Sequence, residues 1–194
     1  MKQLCLILII LAFLFACKKG EEDPTISLRS RKARLCKTWK LDSGSDTLFR
    51  WGGPNYFNTY RQGLMIVNHL SAMQVYIKRY NFTVSFEKDN RYTFDYKFED
   101  TTTGSTFQRT EIGTWSFIGK DADNKNKEQI LLLPNSIFSV SEGVVIDNDS
   151  ALLNNFGTKW EIVGLWNDKL HIKTKIEYKS VYYYNTMEYS FKPL

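Results

Sequence analysis

Along most of this chain apolar and polar side chains alternate with period two, the pattern of strands that bury one face. From Arg91 to Glu99 the even positions Tyr92, Phe94, Tyr96 and Phe98 are aromatic and the odd ones polar, so all four rings share a face. Phe82, Val84 and Phe86 repeat the pattern upstream, and Lys88-Asp89-Asn90 supplies turn chemistry between the two runs. Leu170, Ile172, Thr174 and Ile176 alternate with His171, Lys173, Lys175 and Glu177 after a turn at Asn167-Asp168, and Met187, Tyr189 and Phe191 alternate with Glu188, Ser190 and Lys192. The runs predict eight strands, at 37–43, 80–87, 91–99, 110–118, 127–133, 158–166, 169–178 and 182–192, with a short helix at 26–36 before them. Hairpin spacing makes them antiparallel. The expected fold class is therefore all-β: an eight-stranded up-and-down antiparallel barrel, with an open two-sheet sandwich as the competing architecture.

Two segments fall outside this count. Residues 43–79 hold Phe49, Trp51, Tyr56, Phe57 and Tyr60 around Gly52-Gly53-Pro54, and then Leu64, Val67, Leu70 and Met73 at a spacing that fits an amphipathic helix. An insertion this long is expected to be functional or to hold its own structure. Its rings suit either a gate over a ligand-filled mouth or a plug that completes the core. The segment 134–157, with Ile137, Phe138, Val144, Val145 and Ile146, is similar in kind.

The first residues change the picture. Lys2 is followed by Leu4 to Ala16 without a polar side chain, a positive region and then an apolar core, as in a secretory signal. The run is well short of the roughly 20 residues that span a membrane. Leu14-Phe15-Ala16-Cys17 resembles the bacterial lipobox, in which the cysteine sulfur is acylated and the bond before it cut. That resemblance implies a signal peptide at 1–16, lipid attachment at Cys17, and a membrane as partner through three acyl chains, enough for stable anchoring. Lys18-Lys19-Gly20-Glu21-Glu22-Asp23 then reads as part of a lipidated tether at 17–25, too polar to pack. Its lysine-then-acidic order also resembles an export tag for the outside of the outer membrane. The expected location is the outer membrane, on its periplasmic face or at the cell surface. The single domain spans 26–194.

The chain of 194 residues carries 26 Lys and Arg against 21 Asp and Glu, a net charge of +5. That excess is mild, much of it lies between Arg29 and Lys40, and no nucleic-acid recognition motif accompanies it. With Cys5 in the signal and Cys17 acylated, Cys36 alone remains, which precludes an intramolecular disulfide and reads as a small buried hydrophobe. Catalytic candidates are absent: the two histidines, His69 and His171, supply no metal site, and no glycine-flanked nucleophilic serine or phosphate loop occurs. No cofactor is implied. Asp46-Thr47-Leu48, Asp100-Thr101-Thr102 and Asp149-Ser150-Ala151 resemble an envelope O-glycosylation pattern.

The lipobox, the short helix, Leu35-Cys36-Lys37-Thr38-Trp39-Lys40-Leu41, Gly113-Thr114-Trp115-Ser116-Phe117 and Trp160-Glu161-Ile162 together resemble the lipocalin-like lipoproteins of Gram-negative bacteria. Lipocalins open their first strand with glycine, any residue, tryptophan; here Lys37-Thr38-Trp39 lacks the glycine. The resemblance implies that Trp39 closes one barrel end and that the interior binds a small apolar or amphipathic ligand. Phe49, Trp51, Tyr56 and Phe57 of the insertion and Tyr92, Phe94 and Tyr96 of the wall are the candidate ligand contacts. The alternative is a filled barrel that engages a surface protein or glycan through the aromatic insertion.

Overall fold

The computed structural model describes residues 29–50, 55–70, 74–118, 129–147, 157–178 and 183–194. The signal segment, Cys17, the tether, Trp51 and the Asp149-Ser150-Ala151 pattern lie outside them. A five-residue helix, α1 (Arg31–Leu35), precedes eleven strands: β1 (Thr38–Arg50), β2 (Tyr56–Arg61), β3 (Leu64–His69), β4 (Gln74–Phe86), β5 (Arg91–Asp100), β6 (Thr106–Phe117), β7 (Gln129–Ser141), β8 (Val144–Asp147), β9 (Thr158–Leu165), β10 (Leu170–Tyr178) and β11 (Tyr183–Pro193). Ten of them close into an antiparallel barrel through β6–β7 and β1–β11 pairing, and β8 adds to β7 at the side.

The expected barrel is present, and its strand count is corrected from eight to ten with one extra. All eight predicted strands exist. At one end β1 pairs directly with β4, Trp39 opposite Val84, so only those eight strands line the wall there. Beyond Ser43, β1 pairs with β2 and β3 pairs with β4, which wedges a hairpin between them. Because barrel diameter grows with strand number, the wall widens from eight strands to ten.

The insertion is thus a strand pair where the spacing of Leu64, Val67 and Leu70 suggested a helix. Gln62 and Gly63, both at positive φ (53° and 77°), make the tight turn. Glu142 and Gly143 do the same between β7 and β8, so 134–157 is largely strand as far as Asp147. Pro134 is tolerated inside β7 because the register slips there by one residue against Gly113. A side chain at position 113 would meet the Leu133 carbonyl at 2.2 Å, so only glycine fits this crossing.

Helix α1 caps the eight-stranded end. Ser30 accepts from the Ala33 backbone N–H, and the Arg31 and Arg34 guanidiniums donate to the Ile162 and Leu165 carbonyls of β9. Leu35 of the helix and Trp39, Leu165 and Leu170 beneath it are fully buried. Cys36 is half-buried against this core, and burial pushes its thiol up.

Candidate functional site

The interior of the ten-stranded half follows from a bulge in β1. Trp39 and Leu41 face inward; then the register against β11 shifts between Leu41 and Ser43. A one-residue shift exchanges the faces of everything that follows. Gly44, Asp46 and Leu48 turn inward, and Thr47 and Phe49 turn out. Cross-strand partners share a face, so Tyr60, Asn58 and Tyr56, opposite Gly44, Asp46 and Leu48, also point inside.

This parity buries a carboxylate. Asp46 is 7% exposed and accepts three hydrogen bonds, from Asn58 Nδ2 at 2.7 Å, the Tyr60 hydroxyl at 2.6 Å and the Tyr189 hydroxyl at 3.0 Å. Tyr189 reaches it by lying over Gly44, where a Cβ would stand 2.5 Å from the ring. Burial pushes the Asp46 carboxyl above its ordinary value, against the pull of the three donors. Burial likewise drives the Tyr60 and Tyr189 phenols far upward, so both stay protonated and donate. Because its folded-state value is raised, Asp46 favours the fold fully only below its ordinary value. That contribution is lost as pH rises through the raised value.

Beside this centre lies a cavity of about 450 Å³. Phe82, Phe94, Trp160, Leu48, Met65, Leu132 and Met187 supply its apolar lining; Asp46, Asn58, Tyr60, Tyr96, Tyr189 and Asn185 supply polar groups. Arg109 and Glu111 on β6 line it too, paired at 3.3 Å, and Glu111 also accepts from the Tyr92 hydroxyl. Asn58 Oδ1 and Asn185 Oδ1 are buried acceptors without a partner. A second concavity of about 420 Å³, reaching Tyr56, His69, Tyr76 and Phe98, shares Asn58 and Met65 with the first.

The predicted contacts divide. Phe94 and Tyr96 line the cavity and Tyr56 the second concavity. Tyr92 is fully buried in the core and reaches the cavity only through Glu111. Phe49 and Phe57 are 46% and 38% exposed and stand on the outer face, because the bulge set their parity. Trp39 is fully buried under α1, its indole N–H donating to the Leu35 carbonyl at 2.9 Å. His171 meets Glu188 at 2.9 Å on the lysine-bearing outer wall, and His69 packs its ring on Tyr56. In the proposed glycosylation patterns, Thr47 sits in the middle of a paired strand and Thr101 in an exposed turn, bonded to the Ile77 carbonyl. Asp46, Asn58, Tyr60 and Tyr189, the polar centre of the cavity, were not among the predicted site residues.

The fold and cavity define an antiparallel β-barrel with a capped narrow end and a polar centre within an aromatic interior. Comparison of the chain with protein-family models, with curated proteins and with solved structures finds no match.

Proposed function

We propose that this chain is a cell-envelope lipoprotein, held in the outer membrane through acylated Cys17, whose lipocalin-like barrel binds a small apolar or amphipathic molecule and performs no catalysis. One observation carries the ligand reading: the cavity of about 450 Å³ among Phe82, Phe94, Tyr96 and Trp160. Ligand sites run from about 300 to 1,000 Å³, mostly apolar with a few fixed polar groups, and this interior has that composition. A barrel filled by its own side chains would leave no such space.

A second reading has its own support. Phe49, Phe57, Leu64, Ile66, Val75 and Ile77 are exposed on the outer face of β1 to β4, and contiguous apolar surface of this sort marks interaction sites. On that reading the barrel is a surface module for protein or glycan.

N-phenyl-1-naphthylamine, a neutral dye that brightens in apolar surroundings, separates the two. With the acylated protein in lipid nanodiscs and empty nanodiscs as reference, energy transfer from tryptophan to bound dye is the expected result, and Leu132→Trp, which fills the cavity, should remove it. A parent protein no brighter than empty nanodiscs would leave the surface module as the better account. The anchor has a separate test: Cys17→Ser should lose incorporation of a palmitate analogue, and undiminished label would refute lipidation at this residue.

A further inference from the structure

We infer that the barrel's ligand carries a protonated amine, seated at the Asp46 carboxylate, on an apolar body. The inference rests on the ligand-binding reading above and names the chemical class. Asp46 is buried in the cavity lining, and its three partners, Asn58, Tyr60 and Tyr189, are all neutral donors. They satisfy lone pairs without supplying a countercharge. A carboxylate offers about four acceptor positions, so one remains. The lining holds a single guanidinium, Arg109, and it is engaged with the other carboxylate, Glu111, at 3.3 Å. Among the described residues the cavity therefore holds more carboxylate than cation. A buried charge is stable only when paired, and here a ligand is positioned to complete the pair.

The neutral groups point the same way. Asn58 is 8% exposed; its amide nitrogen is committed to Asp46, and its Oδ1, like that of Asn185, lacks a partner. The carboxylate itself fixes this amide orientation, since the reverse would set two acceptors against each other. An ammonium group has three donors and no acceptor, which matches a site rich in unfilled acceptors. Tyr60, Phe82, Tyr96, Trp160 and Tyr189 surround the same space, and aromatic faces attract cations most where water is excluded. A carboxylate-headed ligand such as a fatty acid would meet like charge and surplus acceptors. The acceptor surplus thus argues against anionic amphiphiles as well as for amines.

The test uses three water-soluble molecules with one body and three heads, 4-phenylbutylamine, 4-phenylbutanol and 4-phenylbutyrate, titrated calorimetrically into the acylated protein in nanodiscs against empty nanodiscs. The amine should bind about tenfold or more tightly than the alcohol, and the acid should be weakest. In Asp46→Asn, which keeps shape and removes charge, the amine's advantage over the alcohol should fall to about twofold or less. Equal affinity of amine and alcohol in the parent protein would overturn the inference, as would an Asp46→Asn protein that keeps the preference. Binding of N-phenyl-1-naphthylamine without any amine binding would also overturn it and leave the ligand cavity standing. Failure of the dye and all three probes would remove the cavity reading itself. The parent ordering needs no variant, so a folding defect in Asp46→Asn cannot mask the outcome.

Discussion

Trp39→Ala is expected to lower unfolding free energy by about 3 to 5 kcal/mol, the range for deleting a large buried ring. The indole has no exposed surface, and it sits where β1 pairs on both edges, with Val84 of β4 on one side and Pro193 of β11 on the other. Its N–H donates to the Leu35 carbonyl at the end of α1, an acceptor it shares with the Lys37 backbone N–H, so the variant also loses the side-chain half of that pairing. The lysine of Lys37 lies 5.0 Å from the ring centre and would lose that contact as well. Neighbouring strands cannot collapse into the space, because this is the narrow, eight-stranded end and every strand there is tied on both sides. Trp166→Ala offers the contrast: that ring is half-buried in the β9–β10 turn and should cost about 1 kcal/mol or less. Urea melts followed by circular dichroism would compare them. A Trp39→Ala loss below about 1 kcal/mol would mean that the tryptophan does not close the barrel.

What the sequence revealed of this architecture depends on one-sidedness. Strands such as β5 and β10 show one apolar and one polar face, and their alternation is readable without a structure. In β3, Met65 and Val67 are buried, while Leu64 and Ile66, on the opposite face, are exposed and equally apolar. The period of two disappears, and Leu64, Val67 and Leu70 fall by coincidence at helical spacing. Ile66-Val67 and the turn residues Gln62-Gly63 were the local signals for a strand pair. The same limit explains the exposed Val144 and Val145 of β8.

The polar centre was hidden for another reason. Tyr189 and Asp46 are 143 residues apart, so their contact has no local signature. Asp46 also lies beyond a bulge that no pattern in Leu41-Asp42-Ser43 announces. Counting by twos from Trp39 turns Asp46 to solvent and Phe49 inward, whereas the shifted register does the reverse. Asn58, between Tyr56 and Tyr60 at alternating positions, was the one readable sign of a polar group on an aromatic inner face.

Phe82→Ala should be the second large loss, again about 3 to 5 kcal/mol, with its origin at the boundary between the sealed core and the cavity. The ring is 3% exposed and packs edge to face against four others: Phe94 at 4.5 Å, Phe191 at 5.3 Å, Tyr189 at 5.7 Å and Tyr96 at 6.0 Å between centroids. Each aromatic pair adds about 0.5 to 1.5 kcal/mol beyond burial, though contacts that share one ring do not sum. Relaxation is limited because Phe94 and Tyr96 line the cavity and are held by other rings, Phe94 by Trp160 and Tyr96 by Phe98 and Phe107. The void therefore joins the cavity instead of closing. An outward ring of equal size gives the reference: Phe57→Ala, on the exposed face of β2, should cost about 1 kcal/mol or less. Melts of the two variants in urea, at one pH and without added ligand, decide whether this half of the barrel is organised around its interior. Matching small losses would mean that Phe82 does not anchor a packed interior in this half of the barrel. A large loss at Phe82 alone would place the structural weight on the same rings that surround Asp46.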